Sequence, residues 1–376
     1  MSLQRSGGKR SARSKAKLRF GPAGWMYKDW EGIVYPDPKP PRFDPLQYMA
    51  EFFETVEVNS SYYGPPSPKT TTSWVRRVKD FDDFRFTAKL WKRFTHERTK
   101  AWTRSEVDQV RAGFDVMMDA GKLGAVLLQF PWSFKRTEEN REWLGDVVRT
   151  FSHYPLVVEV RHKSWLAPEF LSTLEEEGVG FVNIDQPLYH NSIGPSAHVT
   201  SRVGYVRVHG RNYKDWFREK AGVEERYNYL YRADELKPWV ERAKEIAADP
   251  ATNEVYVVTN NHYKGKAVAN ALMMKSMVIG AKVPAPAAVL EAYGEAVNRY
   301  TIPVDADAES GVSMLSETPR SADSLIDRKA LIDYILSRSA TFARPASFAL
   351  EGTWMFVRSF LVFWPARAAT SAANKQ

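Results

Sequence analysis

The sequence contains no cysteine among its 376 residues. Disulfide staples, thiolate nucleophiles and cysteine-ligated metal centres are thereby excluded. It also lacks a long apolar run. No stretch approaches the ~20 residues that a membrane helix needs. The first nineteen residues contain no acid and no apolar segment, so they do not form a secretory signal, and the expected address is the cytoplasm. Missing too are a phosphate-cradling Walker loop, a dinucleotide fingerprint and a zinc-binding pair at i, i+4.

What is present is ample core material: 44% of residues are hydrophobic and 13% aromatic. The net charge of +8 is unevenly spread. Residues 1–19 carry Arg5, Lys9, Arg10, Arg13, Lys15, Lys17 and Arg19 without a single acid, whereas residues 20–297 hold equal numbers of acids and bases. The basic character belongs to the leader and not to the body. Such a leader either solubilises the chain as a disordered tail or binds nucleic acid through phosphate contacts.

Eight β-rich runs recur: Leu18 to Trp25, Thr55 to Tyr63, Phe84 to Trp91, Ala125 to Trp132, Leu156 to Trp165, Gly180 to Gln186, Gly204 to Arg211 and Glu254 to Asn261. Helical patterns lie between them. Asp44 caps one through Phe53, Ser105 opens one reaching Met118, and Thr137 precedes one with Glu138 and Glu139 in its first turn. Residues 168–177, 234–248 and 266–279 supply three more. Strand alternating with helix implies parallel strands, and eight such units predict closure into a (β/α)8 TIM barrel. The expected organisation is a basic leader over 1–17, a barrel domain over 18–297 and an extension over 298–376. Within the extension, residues 303–324 read as a linker, Asp323 to Arg338 as an amphipathic helix, and Thr353 to Trp364 as an aromatic run for packing on the barrel or a partner, with a membrane surface as the alternative.

The period of two separates the strand residues into two registers. One holds Val56 and Val58, Phe84 and Phe86, Val126 and Leu128, Val158 and Val160, Val182 and Ile184, Val206 and Val208, and Val255 and Val257, predicted to face the helices. The other holds Glu57 and Asn59, Thr87 and Lys89, Gln129, Glu159 and Arg161, Asn183 and Asp185, Arg207 and His209, and Asn260. In a barrel that register is the interior, and most of these residues fall late in their strands, where barrels keep their chemistry.

Several spaced blocks resemble the YecE-like proteins, the domain of unknown function 72. They are Gly21-Pro22-Ala23-Gly24-Trp25-Met26-Tyr27, Thr55-Val56-Glu57-Val58-Asn59-Ser60-Ser61-Tyr62-Tyr63, Leu127-Leu128-Gln129-Phe130-Pro131, Glu159-Val160-Arg161-His162 with Ser164-Trp165, Tyr205-Val206-Arg207-Val208-His209-Gly210, and Asn260-Asn261-His262. The resemblance covers roughly 18–280 and implies a TIM barrel; it implies little about the reaction.

The candidate acid–base residues are Glu57, Glu159, Asp185 and His209. Candidate ligand-binding residues are Asn59, Tyr63, Lys89, Gln129, Arg161, His162, Trp165, Arg207, Asn260 and Asn261. The cations suit carboxylate or phosphate, and the amides suit hydroxyls. Trp25, Tyr63, Trp132 and Trp165 are expected as an aromatic rim, and Lys264-Gly265-Lys266 as a second phosphate-binding turn. No cofactor is predicted. The alternative is a divalent metal on Glu57, Glu159, Asp185 and His209, against which the interleaved Lys and Arg argue. Three readings remain open: a metal-free enzyme for a small anionic, phosphorylated or carbohydrate-like substrate; a nucleic-acid phosphodiesterase using the leader and the cluster Arg76, Arg77, Lys79, Lys92, Arg93, Arg98, Lys100 and Arg104; and a non-catalytic ligand-binding barrel.

Overall fold

Eight strands carry the architecture: β1 (Lys17–Pro22), β2 (Thr55–Val58), β3 (Arg85–Lys89), β4 (Leu123–Gln129), β5 (Leu156–Glu159), β6 (Gly180–Asp185), β7 (Val203–Val208) and β8 (Glu254–Thr259). In this computed structural model each pairs in parallel with its neighbours in the order β1-β8-β7-β6-β5-β4-β3-β2. A parallel bridge from Ala23 to Glu57, with the Gly24 amide donating to the Glu57 carbonyl at 2.8 Å, joins β1 to β2 and closes the ring. The structure describes residues 16–304, apart from 215, 217 and 219–221. The first fifteen residues of the basic leader, and the linker, helix and aromatic run expected beyond 304, lie outside the described residues.

Helices α1 (Pro45–Phe52), α2 (Pro68–Arg77), α3 (Lys92–Thr95), α4 (Arg104–Asp119), α5 (Glu138–Phe151), α6 (Pro168–Glu176), α7 (Val223–Arg226), α8 (Ala233–Ala248), α9 (Lys266–Ile279) and α10 (Ala287–Val297) connect or follow the strands. Their starts follow local chemistry. Asp44 accepts from the amides of Leu46 and Gln47, Thr137 accepts from that of Asn140, and Thr103 forms a capping box with Glu106, two residues before the expected start. Helix α2 has no counterpart in the sequence expectation, because its mostly polar 70–73 stretch hides an apolar stripe reduced to Thr71 and Trp74. After α9 the chain adds β9 (Val283–Pro286), α10 and β10 (Thr301–Val304), with β9 and β10 paired in parallel.

Two glycines are fixed by close approach. A Cβ on Gly21 would lie 1.8 Å from the Thr55 carbonyl oxygen, so only glycine lets β1 run this near β2. Gly24 has φ +82°, and a Cβ there would also strike the Tyr27 hydroxyl at 2.4 Å.

The barrel interior contains Ala23, Ala125, Leu127, Val157, Val182, Ile184, Tyr205, Tyr256 and Val258 as one buried cluster, and the outward residues pack with the helices as another. Of the seven strands given an expected register, β2 to β8, six follow it and β6 reverses. Val182 pairs with Tyr205 and Ile184 with Arg207, which puts Val182 and Ile184 inside and Asn183 and Asp185 outside. The polar residues of β6 stand on its outward face, so polarity points to the wrong side of this strand. The outward Asn183 satisfies itself on the crossing loop: its Oδ1 accepts from the Ser196 hydroxyl and the His198 amide, both at 2.8 Å.

Candidate functional site

Above the apolar interior, at the carboxyl ends of the strands, lies a layer of charge. Arg207 on β7 is 1% exposed. Its Nε and Nη2 donate to the two oxygens of Glu57 on β2 at 3.0 and 2.7 Å, and its Nη1 donates to Glu159 on β5 at 3.0 Å. One guanidinium thus ties strands across the barrel. The Tyr205 hydroxyl adds a donor to Glu57 at 2.9 Å. Glu159 also receives Arg161 Nε at 2.9 Å and lies 3.2 Å from His209 Nε2. Burial opposes the charge of Glu159, but the His209 ring and the Arg207 and Arg161 guanidiniums outweigh it and hold the carboxyl well below its usual range. His209 is driven down to about 3 by burial and by the two arginines, despite Glu159. It therefore stays neutral at physiological pH, with Nε2–H directed to Glu159 and Nδ1 3.1 Å from the Asn260 amide nitrogen.

Lys89, at the end of β3, stands differently. Its Nζ donates to Gln129 Oε1 at 2.9 Å and lies 4.4 Å from the Tyr62 ring centroid. Among the described residues no carboxylate forms an ion pair with it. Burial and the positive charge of Arg207 lower it to about 7, with Glu57 and Glu159 opposing and Arg161 reinforcing the shift.

A cavity of about 660 Å³ opens above this layer, within the size range of small-molecule sites. Its walls include Lys89, Arg161, Arg207 and Arg226, and the neutral groups Asn59, Ser60, Gln129 and Asn260. Among the described residues no carboxylate lines it. Aromatic rings supply much of the rest. Tyr27 stacks on His262 with centroids 4.6 Å apart, Tyr227 lies 5.1 Å from the same imidazole, and Trp25 meets Trp74 edge-on at 5.4 Å. Among the described residues, the buried N–H groups Trp25 Nε1 and Arg226 Nε of the lining have no hydrogen-bond partner.

A model of the family described as "Protein of unknown function DUF72" matches residues 19–290. The chain belongs to the DUF72 family. The Bacillus subtilis UPF0759 protein YunF is 28% identical over 274 residues, which are 69% of this chain and 94% of that protein. A solved DUF72 family protein from Thermotoga maritima is 33% identical with a TM-score of 0.61, covering 70% of this chain and 99% of that one. Another from Enterococcus faecalis is 25% identical with a TM-score of 0.60, covering 69% and 95%.

In this DUF72 barrel the expected site residues separate into three groups. Asn59, Tyr63, Lys89, Gln129, Arg161, Arg207 and Asn260 line the cavity, as do Trp25 and Trp132. Glu57, Glu159 and His209 lie among the lining cations but do not face the cavity; their atoms are spent on Arg207, Arg161, Tyr205 and Asn260.

Asp185, His162, Trp165 and Asn261 stand apart. Asp185 leaves with the reversed face of β6. It accepts two bonds of 2.9 Å from Arg211 and one from the Tyr231 hydroxyl. His162 caps the turn Lys163–Trp165 through Ser164. Trp165 is fully buried, stacked on Phe134, and donates to its carbonyl. Asn261 donates to the Tyr229 carbonyl and to Asn270, both at 2.7 Å. The Lys264–Lys266 turn is committed too: the Lys264 amide donates to Asp29, and the Lys266 amine to Asn228.

The alternative metal set does not assemble. Asp185 is in another cluster, and guanidinium or hydroxyl donors occupy the oxygens of Glu57 and Glu159. Among the described residues no group of three or more His, Asp and Glu is placed to hold an ion. Half of the basic cluster near β3 is paired: Arg77 with Asp44, Lys92 with Glu97, Arg93 with Glu106 and Arg104 with Asp108. No helix of the described residues is long and apolar enough to cross a membrane.

The sequence reading missed Tyr27, Tyr62, Trp74, His96, Trp216, Arg226, Tyr227 and His262 as lining residues. Tyr27, Tyr62 and His262 sit inside the quoted sequence blocks, three to five residues past strand ends, and that position was their available signal. Trp216, Arg226 and Tyr227 come from the segment between β7 and α8, where no strand or helix period points inward.

Proposed function

We propose that this protein is an enzyme for a small anionic substrate, phosphorylated or carbohydrate-like, bound in the cavity at the carboxyl end of the barrel. The supporting observation is the charge of the wall: four cations, and among the described residues no carboxylate. With Asp185 removed, the central layer is Glu57 and Glu159 against Arg161, Arg207 and Lys89, an excess of one positive charge when Lys89 is protonated. A bound anion compensates that excess.

Arg161 is suited to meet the anion. It spends Nε and Nη2 on Glu159, and among the described residues Nη1 has no hydrogen-bond partner. Stacked rings beside amide groups fit a polar, ring-bearing ligand such as a sugar. Lys89 is the group for proton transfer, since its amine exchanges a proton near neutral pH and reaches the cavity. Glu57, Glu159 and His209 act as positioning residues that hold Arg161 and Arg207.

Thermal shift with matched ligands tests the reading. Sorbitol 6-phosphate should raise the melting temperature by mass action, and sorbitol at the same concentration should raise it less. Equal shifts from the two, or a shift from neither, would overturn it.

A further inference from the structure

We propose that Lys89 is a nucleophile that forms an imine with an aldehyde or ketone group of the ligand, so that the substrate class is an anionic carbonyl compound. The inference rests on the cavity being the ligand site, and it assigns Lys89 a bond-forming role beyond proton transfer. The geometry comes first. Lys89 ends β3 at the cavity floor, and its amine is held by a neutral amide oxygen at 2.9 Å and a ring face at 4.4 Å. A lysine whose task is structural normally finishes on a carboxylate, as Lys275 does on Glu54 at 2.6 Å. Here the two nearby carboxylates are already bound by Arg207 and Arg161, so the amine is left uncommitted.

The surroundings favour the neutral amine, which is the nucleophilic form. Facing it are Arg207 on β7, Arg161 just past β5, His96 after α3 and the Tyr62 ring, with Glu57 on β2 and Glu159 on β5 behind the arginines. His96 is driven down to about 3 by burial and by Lys89, Arg161 and Arg98, and so adds no charge near neutral pH.

The step balances without an oxidant or reductant. The Nζ lone pair forms a bond to the carbonyl carbon, and the π pair moves to oxygen. That oxygen takes the proton released by nitrogen, giving a carbinolamine. A second proton from solvent lets the oxygen leave as water, and nitrogen's lone pair closes the C=N bond of a protonated imine. Arg161 Nη1, without a hydrogen-bond partner among the described residues, is available to the substrate's anionic group.

Reductive trapping tests the assignment on the full chain. The protein is incubated with glyoxylate, an anionic aldehyde, or glycolaldehyde, a neutral one, with cyanoborohydride, and adducts are mapped by mass spectrometry. At pH 7 an amine with a midpoint near 7 is half neutral, whereas an ordinary lysine is neutral in roughly one molecule in a thousand or fewer. Lys89 should therefore be modified at least about tenfold faster than surface lysines such as Lys69. Its rate should rise with pH through about 7 and then level off. Lys89→Met should lose that adduct and keep the others.

Preferential modification by both aldehydes at equal rates supports the imine and overturns the anion reading. Thermal stabilisation by glyoxylate with no preference for Lys89 overturns the imine and leaves the anion reading standing. No preference and no stabilisation overturns both. The wild-type labelling pattern decides the matter even if Lys89→Met fails to fold.

Discussion

Arg207 shows how one residue sets the geometry of the layer. Its three donor groups satisfy two carboxylates, each 0% exposed, from strands on different sides of the barrel. Replacing it with Met leaves Glu57 and Glu159 short of their principal cation. An uncompensated buried charge costs about 3–5 kcal/mol, so Arg207→Met should lose stability of that order in urea unfolding. A loss under ~1 kcal/mol would show that the carboxylates relax or take up protons at little cost. The residue types of this layer were legible in the sequence, because Glu, Arg and His standing in otherwise apolar strands have few bland explanations. Their division of labour was not. Whether an acid faces a substrate or an arginine depends on the partner across the barrel, and Glu57 and Arg207 are 150 residues apart.

At the scale of elements, β6 marks where sequence reasoning stops. The charged, amide and aromatic residues of β2, β4, β5, β7 and β8 stand on the inner face, among aliphatic residues such as Leu127 and Val157, so period two assigns their faces. In β6 the aliphatic Val182 and Ile184 face inward, and the polar residues point outward into loops that the strand pattern does not reveal. Asp185 consequently anchors the segment after β7 through Arg211 and Tyr231 instead of facing the cavity. Asp185→Asn should cost about 1–3 kcal/mol, the usual cost of weakening a buried charge-assisted contact. It should leave the cavity's affinity for sorbitol 6-phosphate unchanged, as paired denaturation and binding measurements will show. A tenfold affinity loss with intact stability would return Asp185 to the site. The aromatic wall was half legible for a related reason: Tyr27, Tyr62 and His262 follow strands closely, whereas Trp216 and Tyr227 are brought in by a long connection.

For the whole molecule, positive charge gathers in two unrelated places. One is the leader, whose first fifteen residues lie outside the described structure. The other is a local excess of one charge, with Lys89 protonated, inside residues 20–297, whose acids and bases balance overall. Net charge read from composition speaks to the first and hides the second. Two charge-removing substitutions separate a local field from a global one. Arg161 sits at the cavity with 12% side-chain exposure, and Arg104 lies on the surface with 94%. The most direct test of an anion site built on local charge is calorimetric titration of sorbitol 6-phosphate into the wild type, Arg161→Met and Arg104→Met. The account predicts at least about a tenfold loss of affinity, ~1.4 kcal/mol, for Arg161→Met, and wild-type binding for Arg104→Met. Equal affinities in all three proteins, or equal losses in both variants, would contradict it.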